Sequence, residues 1–419
     1  MNVLWIVNAP LPEALSILQG SKVESHSTGS WVCALLELFC GRTDVDISIA
    51  SPSPFVKDLV VVKGKATHYL FPSHNRYEVC NIEYESYWNR IYQAVKPDVV
   101  HIHGTEYPHI ISYLNVCGND HLVVSIQGLV SEIRHHYFAG MSDSDVKKCI
   151  TLRDLVRHDS IIDQYQSMLQ RGNIEVDFLS AVNNIIGRTD WDKQIALSIN
   201  PSLKYYHCSE ALREPFYSGK WNWNDCQKHT IFMTQGHYPL KGLHIVLEAL
   251  PAILNKYPDS RLVVSGVNIM RGRSPFDCIL RSGYAKYLAT IIRKNRLWNK
   301  VFFIGEIDAE GIKSNMLTSN VFLCASSIEN SPNSVCEAQM LGVPCIASDV
   351  GGIRSIIPDN SCGRLYEYDS PMALANQVCV SFDESSQYDS SEEMSLAATR
   401  HNKLNILDTM MSIYEQVAY

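Results

Sequence analysis

A chain of 419 residues exceeds what one hydrophobic core usually supports, roughly 250 to 300 residues, so two domains of ordinary size are expected. Its apolar, charged and aromatic fractions, 46%, 19% and 10%, are those of an ordered globular protein and exclude a disordered or fibrous chain. A formal charge of -8, with no long Lys/Arg cluster, argues against a nucleic-acid partner.

The 13 cysteines are an odd number without a CxxC pair, and the start MNVLWIVNAP lacks the basic residues and long apolar run of a signal peptide. Reduced thiols in the cytoplasm are expected. No apolar stretch approaches the ~20 residues that span a bilayer, so any membrane contact would be peripheral, at the inner face. Lys147 and Lys148, with Arg134, His135 and His136 nearby, form the basic cluster that could touch an anionic surface or a phosphorylated acceptor; a solvated helix face is the plainer reading.

In chain order, NVLWIVN is a continuous apolar run suited to a strand buried on both faces of a parallel sheet. After a polar stretch comes STGSWVCALLELF, where Ser27 or Thr28 could cap a helix that buries Val32, Leu35, Leu36 and Phe39. The strand DISIA, a helix around YESYWNRIYQAV, the strand DVVHIHG, a helix around HIISYLNV and the strand HLVVSIQG continue a parallel α/β alternation. Residues 131–180 read as a charged helical excursion, and NNIIGRTDWD as the strand that closes the first domain.

The pattern breaks in REPFYSGKWNWNDCQK. A second series follows: TIFMTQG, the helix GLHIVLEALPAILNKY, RLVVSG, VFFIG, VFLCA, the helix SVCEAQML, VPCIAS and GRLYEY. Near the end, Leu404, Ile406, Leu407, Met410, Met411 and Ile413 make an amphipathic helix with no strand after it. The expected organisation is an N-terminal Rossmann-like domain over 1–207, a linker over 208–228, a C-terminal Rossmann-like domain over 229–395, and a helix over 396–419 that crosses back onto the first domain. The two domains would face a cleft.

In open parallel sheets ligands sit beyond the carboxyl ends of the strands, which selects few places. His237 and Lys241 follow TIFMTQG; Glu329, Asn330, Asn333 and Ser334 follow VFLCASS; Gly351 and Gly352 follow VPCIASDV. Lys241 stands ahead of a helix start, where an ammonium and the positive helix end favour a diphosphate, although a surface lysine there is common. Glu337 either completes a Ser-x-x-Glu capping box with Ser334 or accepts hydrogen bonds from a ribose diol. Glu329, in a polar loop beyond a buried strand, has no capping explanation.

On the first domain, His101 and His103 share one strand face. They are either buried hydrogen-bonded histidines, a substrate contact through His103, or a metal pair that lacks a recognisable third ligand. Gln127 follows the next strand and Gly29 opens the first helix; with His103 these would line the acceptor side. Asp190 and Asp192 form an Asp-x-Asp string that could hold a divalent metal on a nucleotide diphosphate, but Asp44 with Asp46, and Asp143 with Asp145, repeat the pattern.

The stretch IENSPNSVCEAQMLGVPCIASDVGG closely resembles the E-x7-E signature of retaining GT-B glycosyltransferases of family four, and PDVVHIHG, GRTDWD and YPLKGLH are similar to its bacterial surface-polysaccharide members. The resemblance implies an α/β GT-B fold, with the acceptor on the N-terminal domain and the nucleotide sugar on the C-terminal one. It implies that Glu337 binds the ribose, Lys241 offsets the leaving diphosphate and Glu329 contacts the donor sugar, with Asn330, Asn333, Ser334, Gly351 and Gly352 around the donor and no metal required. The expected activity moves a sugar from a UDP- or GDP-linked donor to a glycan or lipid-linked acceptor hydroxyl, in O-antigen, capsule or exopolysaccharide synthesis, with anomeric configuration kept.

Three departures stand out. The family often has an arginine shortly before its lysine; here His237 occupies a shorter loop, and Arg188 is the candidate replacement cation. Gln127 stands where a histidine often follows the strand and cannot carry a proton near neutral pH. The usual glycine pair before the first helix is Thr28 and Gly29. The alternatives are a metal-dependent transferase using Asp190 and Asp192, a GT-B epimerase or phosphorylase, and a non-catalytic sugar-nucleotide binder. No GxGxxG follows NVLWIVN, as a nicotinamide cofactor would require.

Overall fold

The strand Asn2–Ile6 (β1) is apolar from its second residue on because helices cover both of its faces, and four of its five residues are buried. Seven more strands join it: Asp46–Ser53 (β2), Val60–Lys63 (β3), Thr67–Pro72 (β4), Val99–His103 (β5), Leu122–Ser125 (β6), Asn184–Gly187 (β7) and Lys204–His207 (β8). The sheet order is β3-β4-β2-β1-β5-β6-β7-β8. Only β3 and β4 pair antiparallel.

The computed structural model describes residues 1–21, 29–73, 82–270 and 281–418. Chain contacts divide into two units: Met1–Glu132, Leu169–Arg213 and His401–Tyr419 form unit one, while Ile133–Met168 and Glu214–Arg400 form unit two.

Unit one has a core on each side of its sheet. Trp5, Phe39, Met410 and Tyr414 meet on one face, and Phe71, Trp88, Tyr113 and Phe178 on the other. The helix Lys403–Ala418 belongs to this unit, as its apolar stripe leads one to expect, and buries Ile406, Met410, Met411, Ile413 and Tyr414. Trp5 Nε1 donates to the Tyr414 hydroxyl at 2.9 Å, and that oxygen lies 2.7 Å from His101 Nδ1.

Three local expectations change. The β3–β4 hairpin is additional, and NNIIGRTDWD does not close the sheet, because β8 follows it. Strand β7 stops at Gly187, since Thr189 caps the helix Asp190–Ile199 by accepting from Asp192 N at 3.1 Å, so Asp190 and Asp192 are helical. Ser27 and Thr28 lie outside the described residues; the helix Ser30–Phe39 has Gly29 at its N-cap position.

Unit two holds Gln227–Met233 (β9), Arg261–Ser265 (β10), Val301–Gly305 (β11), Ser319–Cys324 (β12), Cys345–Ser348 (β13) and Arg364–Tyr366 (β14), in the order β11-β10-β9-β12-β13-β14. Every pair is parallel. The helices Gly283–Lys294, Ala309–Thr318, Pro371–Glu384 and Ser391–Arg400 add to those expected. Part of the helical excursion joins this unit: Gly283 N donates to Asp154 Oδ2 at 2.8 Å, and His244 Nε2 lies 2.8 Å from the Ala139 carbonyl. Among the described residues no helix is long and apolar enough to cross a membrane.

Each sheet reverses its order once, between β1 and β5 in unit one and between β9 and β12 in unit two. A switch of this kind leaves a crevice at the strand carboxyl ends, where the two flanking connections depart in opposite directions.

Candidate functional site

The unit-two crevice is built by the loops that follow β9 and β12. After β9 the chain makes a 3-10 turn, Pro239–Lys241, then enters the helix Leu243–Lys256 through Gly242. A Cβ on Gly242 would stand 1.9 Å from the Ala325 carbonyl, and its φ of +69° is left-handed, so glycine lets the turn lie directly on the loop after β12. Ser327 N donates to the Leu240 carbonyl at 2.8 Å, which fixes the two loops together.

That contact brings Lys241 Nζ to 2.6 Å from Glu329 Oε1. Ser326 Oγ donates to the same oxygen at 2.7 Å, so both bonds converge on Oε1 and neither uses Oε2. Burial works against the Lys241 ammonium, but the adjacent Glu329 carboxylate, with smaller help from Tyr238 and Cys324, lifts its pKa well above the usual lysine range. Lys241 is a fixed cation at the switch point.

The loop after β13 closes the other side. Gly352 N donates to the Glu329 carbonyl at 2.9 Å, and a Cβ on Gly351 would sit 2.1 Å from that carbonyl at a φ of +52°. Ser348 Oγ donates to the Ser326 carbonyl at 2.5 Å. The two glycines thus pin the Glu329 backbone while its side chain faces Lys241.

Glu337 is 2% exposed, in the helix Asn333–Leu341. The capping-box alternative does not hold: Pro332 is the N-cap residue, no side chain caps the helix, and Ser334 already lies in the first turn. The helix starts one residue early because Pro332 holds an extended φ of -70° that leads directly into it. Asn330 is buried at the end of the Glu329 loop, while Asn333 and Ser334, half-buried, open the helix. His237 is half-buried against the Tyr238 ring, 4.5 Å between centroids; burial first and the Lys241 charge second lower its pKa, so it is a neutral imidazole near pH 7.

Arg188, His103 and Gln127 lie together in unit one, lining one cavity, and Gly29 stands two residues before Trp31, which lines it too. Arg188 donates from Nη1 to Glu210 Oε2 and from Nη2 to the Gln127 carbonyl, both at 2.8 Å. Sequence reasoning did not anticipate Glu210 or Trp31, since neither follows a strand run in a recognisable motif. His101 is a buried hydrogen-bonded histidine, with Ser125 Oγ 2.7 Å from its Nε2. The Asp192 carboxylate accepts from Arg188 N at 2.8 Å and from the Tyr205 hydroxyl at 2.6 Å, which gives it a positioning task within the helix start. Among the described residues no group of three His, Cys, Asp or Glu side chains is placed to hold a metal ion.

Residues 215–394 match the family described as glycosyl transferases group 1. The phosphatidyl-myo-inositol mannosyltransferase of Mycobacterium tuberculosis is 26% identical over 198 residues, 46% of this chain and 48% of that protein, so the match spans about half the length of that relative. Among solved structures, a sucrose-phosphate synthase from Thermosynechococcus elongatus superposes with a TM-score of 0.70 at 14% identity, covering 100% of this chain and 99% of that one. Anabaena HepE in complex with UDP superposes with a TM-score of 0.65 at 13% identity, covering 99% and 100%, and the same protein is also solved with UDP-glucose. Residues 215–394 are thus similar to the glycosyl transferases group 1 family, and the chain has a GT-B fold of two parallel-sheet, Rossmann-like units.

Proposed function

We propose that this protein is a retaining glycosyltransferase that moves a sugar from a UDP- or GDP-linked donor to a hydroxyl on a glycan or lipid-linked acceptor, in the assembly of a cell-surface polysaccharide. The observation that carries the reading is the Lys241–Glu329 pair at the switch point of unit two, 2.6 Å apart. HepE binds UDP and UDP-glucose on the same fold, and the mycobacterial relative is a mannosyltransferase by name; both support a nucleotide-sugar donor.

In this reading Lys241 stands beside the diphosphate as it departs, and its charge offsets the negative charge that builds there, the largest catalytic contribution. Glu329 offers Oε2 to donor-sugar hydroxyls. Glu337 accepts from the ribose diol, and the amides of Gly351 and of the Asn333 helix start face the phosphates, while the Gly352 amide holds the Glu329 carbonyl. The acceptor oxygen bonds to the anomeric carbon on the face from which the diphosphate leaves, and its proton passes to the departing diphosphate oxygen, so the anomeric configuration is kept. Unit one supplies the acceptor side through Gly29, His103 and Gln127. The enzyme works in the cytoplasm, at the inner face of the membrane, consistent with free thiols at every described cysteine.

Calorimetric titration with UDP-glucose and GDP-mannose identifies the base, and the product anomer read by NMR identifies the stereochemistry. Glu337→Ala is expected to weaken donor binding at least tenfold, equivalent to ~1.4 kcal/mol, while the melting temperature moves by only a few degrees. Unchanged donor affinity in Glu337→Ala, or inversion at the anomeric carbon, contradicts the proposal. Turnover is expected to persist after exhaustive chelation.

A further inference from the structure

Each sheet ends in two edge strands, and an edge strand offers unpaired backbone groups to whatever can pair with them. Three of the four edges carry a charge that discourages such pairing: β3 ends in Lys63, β8 begins with Lys204 and β14 begins with Arg364. The fourth, β11, reads VFFIG, with no charge and no proline. Leu262 N donates to the Lys300 carbonyl at 2.8 Å, which fixes the alternation that follows. The amide groups of Phe302 turn toward β10, and the N–H and C=O of Val301 and Phe303 turn outward.

The side chains of this strand are equally unguarded. Val301 is buried, while Phe302 and Ile304, on the opposite face, are 44% and 39% exposed. Trp298, 48% exposed, stands just before the strand. Val267, 47% exposed, follows Gly266, whose N–H donates to the Gly305 carbonyl at 2.9 Å. Single exposed apolar side chains need no explanation, but four of this size along one open edge mark an interaction surface.

Charge says what covers it. Arg293, Lys294, Arg296 and Lys300 precede the strand with no acidic residue among them, and Glu306, Asp308 and Glu310 follow it with no basic one. Lys300 Nζ donates to the Pro258 carbonyl at 2.6 Å and Asp308 accepts from Gly311 N at 2.8 Å, neutral groups that leave both charges standing. The edge is therefore basic at its beginning and acidic at its end. A surface of uniform charge cannot suit both ends. A second β11 laid antiparallel sets a basic end against an acidic one twice over, whereas a parallel one sets like against like.

The register follows from the same facts. A two-fold axis beside Phe303 lets the two Phe303 residues exchange backbone hydrogen bonds and puts Val301 opposite Gly305 of the second copy. Phe302 then faces Ile304 of the second copy in a closely spaced pair, and Lys300 faces its Glu306. We infer that β11 is the seat of a two-fold homodimer, in which the six-stranded sheets of two copies join edge to edge about Phe303. The inference stands apart from the transferase reading and needs no donor or acceptor.

Sedimentation equilibrium of the full chain, at concentrations up to about 100 μM, tests it. The weight-average mass is expected to climb from that of one chain toward that of two, and added salt to weaken the association. Ile304→Lys puts a charge at the centre of the pairing and should raise the dissociation constant roughly tenfold or more. Its melting temperature should stay within a few degrees of wild type under conditions where both are monomeric, because the side chain is already exposed. Lys300→Glu and Glu306→Lys should each weaken self-association, yet the two variants should pair with each other when mixed, and the double variant should self-associate again. A chain that stays monomeric throughout the range, a dimer indifferent to Ile304→Lys, or charge variants that fail to recover on mixing overturns the inference.

Discussion

Lys241 and Glu329 hold each other through one carboxylate oxygen, Oε1, which Ser326 also bonds. A lysine fixed in this way gains little from further ordering when a diphosphate arrives, so its contribution falls on the transition state. Lys241→Ala is expected to lower kcat at saturating donor by ~10²- to 10³-fold, as removal of one preorganised electrostatic partner does elsewhere. A melting shift without loss of turnover would mark the pair as structural. Lys241 and Glu329 were each legible as candidates because they lie in polar loops a few positions beyond apolar strand runs, but their pairing with each other was not. The meaning of Glu337 was not, since Ser334 and Glu337 spell a capping box, and only the early helix start at Asn333 separates the spelling from the geometry. The donors around Arg188 were equally hidden: Trp31, Gln127 and Glu210 come from separate parts of the chain and no local motif joins them.

The loops after β9 and β12 act as one element because Gly242 lets them touch. Gly242→Ala would place a methyl 1.9 Å from the Ala325 carbonyl and leave a left-handed φ of +69° on an L-residue. The backbone conformation alone costs ~1–2 kcal/mol, and relief of the clash requires the Pro239–Lys241 turn to move off the Glu329 loop. The variant is expected to lose both melting temperature and UDP-sugar affinity, and unchanged affinity in titration would show that the turn does not position the donor site. Long apolar strands and amphipathic helices were readable at this scale. The hairpin of β3 and β4 was not, because VVVKGKATHYLFP interrupts two short runs with lysines and a glycine, and β8, KYYH, has no fully buried residue to betray it.

At the scale of the whole molecule, titration follows from the buried histidines. Burial holds the pKa of His103 and His109 down to about 3 and that of His244 to about 4, and places His101 well below its ordinary value. Each is neutral in the folded protein and binds a proton once unfolded below about pH 6.5, so the unfolded chain takes up more protons as pH falls. Stability is fully present above pH 6.5 and declines below it, by up to ~1.4 kcal/mol per histidine per pH unit. The melting temperature should therefore drop between pH 7 and pH 5, and a flat profile across that window would contradict the burial. Glu175, lifted to about 7 mainly by burial and also by the Glu106 charge, acts in the other direction: the folded state holds its proton up to about pH 7, so its contribution declines as pH rises from the ordinary carboxylate range. The closure of unit one by Tyr414 has a kinetic side. Trp5 and Tyr414 are 409 positions apart in the chain, so the first strand's cover emerges from the ribosome after all of unit two. Unit two can fold during synthesis while the earlier-made unit still shows an open apolar face, which makes that face the place where a chaperone, or a second unfinished chain, would bind during synthesis.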